Sequence, residues 1–128
     1  MSKKRVLLVD DEVALTKVVK INLEATGKFE VEIENLSGNA VAKAKEFQPD
    51  IILLDIVMPG MDGGDVKRLI KQSPALQDTH VIFLTALVEA GDTNPGAVVQ
   101  SGDDIMIGKP VTTDQLVRAI EDKLAGRI

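Results

Sequence analysis

A chain of 128 residues, 45% of them hydrophobic, has the length of one domain with a single substantial core. An aromatic content of 2%, with neither Trp nor Tyr, excludes base stacking as a main binding mode, and a net charge of −5 leaves only the short "KKR" at 3–5 to meet a phosphate backbone, so direct nucleic-acid binding is not expected. The lack of Cys excludes disulfides and thiolate metal sites, and with no signal-type run and no stretch near the ~20 apolar residues of a membrane span, the chain is expected to be cytoplasmic, without membrane insertion.

Residues 5–9 (RVLLV) are a continuous apolar run that stops at Asp10, the pattern of a strand covered on both faces. Residues 12–26 follow with Leu15, Val18, Val19 and Leu23 at helical spacing and Gly27 as the stop. Over 29–36, Phe29, Val31 and Ile33 alternate with Glu30, Glu32 and Glu34, which predicts a strand with one wet side, at a sheet edge. A short Ala- and Lys-rich helix over 39–47 ends before Pro49.

Residues 50–54 repeat the buried pattern, and a Pro-Gly loop leads to a third helix around Lys67, Leu69 and Ile70 that ends at Ser73-Pro74. A fourth strand occupies 80–84 (HVIFL). Breakers crowd 88–101, where only 97–100 reads as helical. A fifth strand covers 104–107, and the last helix, 113–125, sets Leu116, Ile120 and Leu124 on one stripe with Asp114 near its positive end. Five strands, each followed by a helix, predict a parallel sheet with helices on both faces and a ligand site beyond the carboxyl ends of the strands.

The groups at those ends are Asp10 and Asp11, Asp55, Thr85 and Lys109; the second strand ends in "NLSG" with no comparable group. Taken singly, each has a plainer reading: Asp10 and Asp11 as helix caps, Asp55 as a turn residue, Thr85 as a loop cap, Lys109 as a solvated lysine. Their concurrence at four strand ends favours chemistry. Two carboxylates ~4 Å apart repel by about 4 kcal/mol at an effective dielectric of ~20, so a cation belongs among them. Oxygen ligands without His or Cys specify a hard ion, and Mg²⁺ suits a site with few protein ligands better than Ca²⁺, with Mn²⁺ as a substitute. A carboxylate beside such an ion can attack a phosphoryl group and form an acyl phosphate, which makes Asp55 the phosphoacceptor, with Lys109, the Thr85 hydroxyl and backbone N–H groups available to the phosphoryl oxygens. His80 lacks ligand-spaced companions and reads as structural, Met58 and Met61 as loop packing, and Asp103 and Asp104 as solvated.

Together "VLLVDDE", "ILLDIVMPGMDG", "FLTA" and "GDDIMIGKP", in this order, resemble the response-regulator receiver domain of two-component signalling over essentially the whole chain. The resemblance implies a flavodoxin-like, doubly wound, five-stranded parallel sheet of order 2-1-3-4-5. It further implies phosphorylation of Asp55 by a histidine kinase or phosphotransfer protein. The metal would be held by Asp11, Asp55 and the backbone carbonyl of Val57, with Asp10 acting through water. Lys109 would precede a cis Pro110. The switch would comprise Thr85 and position 106, where Met106 replaces the usual Tyr or Phe. Val57, two positions beyond the acceptor, has no side-chain polar atom to assist an attacking water.

On this reading 1–128 is a single, stand-alone receiver domain, a monomer or weak dimer, that signals to a downstream target protein through the surface of its fourth helix, fifth strand and last helix. It is no enzyme beyond catalysing its own aspartyl phosphorylation and dephosphorylation. Two rivals come from other classes. An aspartyl-nucleophile phosphatase would want an acid two residues beyond its nucleophile, where Val57 stands. A bare interaction module would have no use for five site residues at once.

Overall fold

The computed structural model describes residues 3–86 and 98–128. Its elements in chain order are β1 Lys4–Val9, α1 Val13–Ala25, β2 Phe29–Glu34, a short 3-10 turn Ser37–Asn39, α2 Ala40–Phe47, β3 Ile51–Asp55, α3 Gly63–Gln72, β4 His80–Thr85, β5 Val98–Ser101, β6 Asp104–Gly108 and α4 Thr113–Leu124. They build one sheet of order β2-β1-β3-β4-β6-β5. β1, β2, β3, β4 and β6 run parallel, and β5 pairs antiparallel with β6.

The doubly wound core follows from strands that are apolar on both sides. Val6, Leu8, Leu53, Ile82, Leu84, Ile105 and Ile107 face one way and pack with Leu23 of α1 and Leu116, Ala119 and Ile120 of α4. Leu7, Val9, Ile52, Leu54, Val81 and Phe83 face the other way and meet Ala40, Ala44 and Phe47 of α2 and Val66 and Ile70 of α3. Every residue of β3 is buried, so the strand that delivers Asp55 is the most completely enclosed part of the sheet. β2, with its glutamates, lies at the edge as its alternation predicts.

The far end of the sheet corrects the sequence reading. The sheet has six strands rather than five and is mixed rather than wholly parallel; the expected order 2-1-3-4-5 survives as β2-β1-β3-β4-β6. The segment 97–100, read as helical, belongs to β5 from Val98 onward, and the rest of that expected fourth helix lies outside the described residues. The physical reason is a two-residue hairpin: Ser101 pairs with Asp104, and Gly102 takes φ +59 in the connection, a conformation that costs glycine little and suits the twist of paired strands. Asp104 is not merely solvated either, since its carboxylate pairs with the Lys67 ammonium.

The third helix begins at Gly63, because the Asp62 side chain accepts a hydrogen bond from the Asp65 N–H and caps it. This draws the helix start against the back of Asp55. A Cβ on Gly63 would stand 2.5 Å from the Asp55 carbonyl oxygen and 2.9 Å from Ile56 Cα. Gly63→Ala is therefore expected to destabilise the fold by roughly 1–3 kcal/mol, the usual cost of overpacking, although Gly→Ala in an open helix stabilises. Urea unfolding reads the difference; an unchanged or raised midpoint would show that the helix start can move away.

Candidate functional site

β1 and β3 are neighbours in register, Val9 beside Leu54, so the residues that follow them emerge together at the carboxyl edge of the sheet. Asp10 is 1% exposed and Asp55 5%, while Asp11 is exposed. One carboxylate oxygen from each lies within 4.8 Å of the others. Among the described residues this is the acidic group able to hold a metal ion. Three hard oxygen donors with no nitrogen or sulfur fit a hard divalent cation.

Lys109 enters from the end of β6. Its N–H donates to the Thr85 carbonyl at 2.9 Å, which locks the ends of β4 and β6 together, and the bond to Pro110 is cis. The ammonium lies 2.7 Å from Asp10 Oδ2, 3.2 Å from Glu12 Oε1 and 3.7 Å from Asp55 Oδ2. Burial pushes the Lys109 pKa down, but hydrogen bonding and charge from Asp10, the charge of Asp55 and the hydrogen bond to Glu12 outweigh it and leave the pKa raised. The pKa of Asp55 is also raised: burial comes first, then the charge of Asp10, against the lowering effects of Lys109 and of a hydrogen bond from the Val57 backbone, with Asp11 a smaller raising influence. The two carboxylates at the strand ends thus compete for one ammonium, and Asp10 holds it.

Thr85 is 1% exposed and lies one residue beyond Leu84, the register partner of Asp55. Met106 pairs in register with Phe83 on one side and Val99 on the other, and packs partly buried against the α2–α3 side of the core. The Val57 side chain points to solvent, 58% exposed. Asp10 and Asp11 do not cap α1 from its N-cap position, which is Glu12; the Asp10 Oδ1 does accept the Glu12 N–H at 3.0 Å. Met58 and Met61 pack on the core, and His80 opens β4 at the other edge of the sheet.

Three participants escaped the sequence. Glu12 shares Lys109. Asn35, in the "NLSG" that seemed to bring nothing, donates its Nδ2 to the Asp10 carbonyl at 2.7 Å and to Thr16 Oγ1 at 3.1 Å. Ser37 donates to the Pro59 carbonyl at 2.8 Å and accepts the Met61 N–H at 3.1 Å. The one available signal was position: both follow the strand that neighbours β1 at the same sheet edge.

An open α/β sheet of this order, with three acids and one lysine converging on its carboxyl edge, defines a flavodoxin-like domain with an acidic cluster that could hold a metal ion. A family model described as the response regulator receiver domain matches residues 6–121, and the chain belongs to that family, the signalling receivers of two-component systems. It is 38% identical over 120 residues to the transcriptional regulatory protein TrcR of Mycobacterium tuberculosis, covering 94% of this chain and 45% of that protein. It is 32% identical over 118 residues to the DNA-binding dual master transcriptional regulator RpaA of a Synechocystis species, covering 91% and 47%. A solved CheY-like receiver domain protein from Methanospirillum hungatei superposes with a TM-score of 0.76 at 31% identity, covering 98% of this chain and 97% of that one. The chain spans about half the length of the curated relatives it matches.

These relatives overturn the exclusion of nucleic acid drawn from charge. RpaA is a DNA-binding regulator by name, and a net charge of −5 describes the surface of the receiver portion alone. Acidity in one domain says nothing of a DNA-binding surface carried elsewhere in such a protein. Among the described residues no helix is long and apolar enough to cross a membrane.

Proposed function

We propose that this receiver accepts a phosphoryl group on Asp55 from a histidine kinase or phosphotransfer protein in a Mg²⁺-dependent reaction, and that it acts in the cytoplasm. One observation supports this above the rest: Asp10 and Asp11, just after β1, and Asp55, at the end of the neighbouring β3, converge to within 4.8 Å, and Lys109, just after β6, reaches Asp10 and Asp55. Asp11, Asp55 and the Val57 carbonyl would hold the ion, with Asp10 acting through water. When bound, the ion supplies positive charge against the phosphoryl oxygens.

The chain's own groups do the rest. An Asp55 carboxylate oxygen attacks phosphorus, the P–N bond to the donor imidazole breaks with its electron pair leaving on nitrogen, and an acyl phosphate forms. The Lys109 ammonium, 3.7 Å from Asp55 Oδ2, turns from Asp10 toward the new dianion. The Thr85 hydroxyl donates to a second phosphoryl oxygen, and Met106, beside Phe83 on the same sheet face, refills the space that Thr85 vacates. The surface of β6 and α4 then carries the signal to an output, which the DNA-binding relatives suggest is transcriptional. A groove of about 470 Å³ lined by Val13, Leu36, Met58 and Met61, with Asp11 at its border, gives a donor an apolar approach.

Intact-mass measurement after incubation with acetyl phosphate and Mg²⁺ tests this. The parent is expected to gain one phosphate and Asp55→Asn none. Modification of both, or of neither, would remove Asp55 as the acceptor.

A further inference from the structure

We propose that Asn35 and Ser37 act together as a spacer that fixes the separation of the two metal-ligand loops, and thereby selects Mg²⁺ over the larger Ca²⁺. This rests on the reading of the site as a Mg²⁺ site. Neither residue touches the carboxylates, so both are positioning residues.

The segment from β2 to α2 passes the ends of β1 and β3. Asn35 grips the first, through the Asp10 carbonyl at 2.7 Å, and is itself steadied by Thr16, whose hydroxyl is fully buried and donates to the Val13 carbonyl at 2.8 Å. Ser37 grips the second. Its hydroxyl, in a residue 4% exposed, bridges the Pro59 carbonyl and the Met61 N–H and so holds both ends of a turn. Between them Gly60 sits at φ +88, where an added Cβ would lie 3.3 Å from Ser37 Oγ. That turn continues the loop that leaves β3 at Asp55 and carries Val57.

Leu36 makes the two grips one device. Its backbone is extended, with φ −113 and ψ 117, and its side chain is 64% exposed. Extended backbone sends residues i and i+2 to the same side and i+1 to the other, so Asn35 and Ser37 both turn inward while Leu36 turns out. The span of two extended residues is close to its covalent limit of ~7 Å and cannot stretch. The Asp10–Asp11 loop and the 56–61 loop are therefore tied to opposite ends of a short strut.

Ion choice follows from that stiffness. Mg²⁺ demands near-ideal octahedral geometry at about 2.0–2.1 Å, whereas Ca²⁺ accepts irregular coordination at about 2.3–2.6 Å. A site held at one separation favours the small ion, and slack in the strut favours the large one.

Isothermal titration of the full chain with MgCl₂ and with CaCl₂, alongside melting in chelator, tests the proposal. Ser37→Ala and Asn35→Ala are each expected to weaken Mg²⁺ binding about 10-fold, the lower end of the cost of losing a supporting hydrogen bond around a metal, and Ca²⁺ binding much less, so the Mg²⁺/Ca²⁺ affinity ratio falls. Gly60→Ala, which crowds Ser37 without removing it, should move the ratio the same way. A general loss of stability would weaken both ions alike; equal losses, or an unchanged Mg²⁺ affinity in the variants, overturn the spacer. A parent chain that binds no Mg²⁺ overturns the metal reading itself, and the spacer with it.

Discussion

Lys109→Met is expected to cost the metal-free protein about 3–5 kcal/mol of unfolding free energy, the range found when one partner of a buried ion pair is removed. Asp10 is the reason. Its side chain is 2% exposed and its Oδ2 lies 2.7 Å from the Lys109 ammonium, itself only 14% exposed. Met keeps most of the Lys stem and removes the charge, so the loss reports electrostatics rather than packing. Asp10 would then be left beside Asp55 and Asp11 with no cation among the three. A solvated surface lysine would change stability by no more than about 0.5 kcal/mol, which separates the two readings cleanly. Millimolar Mg²⁺ should recover part of the loss, because a dication among the same oxygens replaces the missing positive charge. Urea unfolding in chelator and in MgCl₂ measures both effects. A variant within 0.5 kcal/mol of its parent in chelator would mean that water, not Lys109, compensates Asp10.

What the sequence disclosed and what it hid divide along a physical line. Runs such as "VLLV" and "IILL" had to be buried on both faces, and a buried run ends where the first polar residue can reach water, so the ends of β1 and β3, with Asp10 and Asp55, could be read directly. The hairpin of β5 and β6 was hidden because "VVQS" is short enough for either a helical turn or a strand, and the Gly102-Asp103 pair that decides between them stands directly after the breaker-rich tract 88–101. Asn35 and Ser37 were hidden differently: they bond to backbone groups of residues 22 to 25 positions away in the chain, and backbone atoms carry no sequence signal. Glu12 read as a helix-start residue, which it is, and only the fold shows that Lys109 reaches it across 97 positions. The charge sum failed for a third reason, since it describes whichever stretch is summed and cannot report on regions beyond the receiver in DNA-binding relatives of twice the length.

Asp55→Asn is expected to melt higher than its parent in chelator at neutral pH, even though it removes the group on which the chemistry centres. The raised pKa of Asp55 carries the sign. Below 3.8, its ordinary value, the group is protonated in both folded and unfolded chains, and it contributes equally to each. As the pH rises past 3.8 the unfolded chain releases its proton first while the folded chain keeps it, so unfolding becomes progressively easier until the folded pKa is passed. Above that point the folded state holds a carboxylate it disfavours, chiefly because of burial and next because of Asp10, with Lys109 only partly offsetting both. An amide of the same shape removes that penalty, so the stabilisation of the variant should grow with pH across this window and then stay constant. Added Mg²⁺ should reverse the order, because the parent offers the ion three carboxylates and the variant two. The crossing is the informative feature, as a simple packing effect would shift both curves without exchanging them. Melting curves over a pH series, with and without MgCl₂, show it; a variant less stable than its parent in chelator would mean that the Lys109–Asp55 attraction at 3.7 Å outweighs burial and repulsion together.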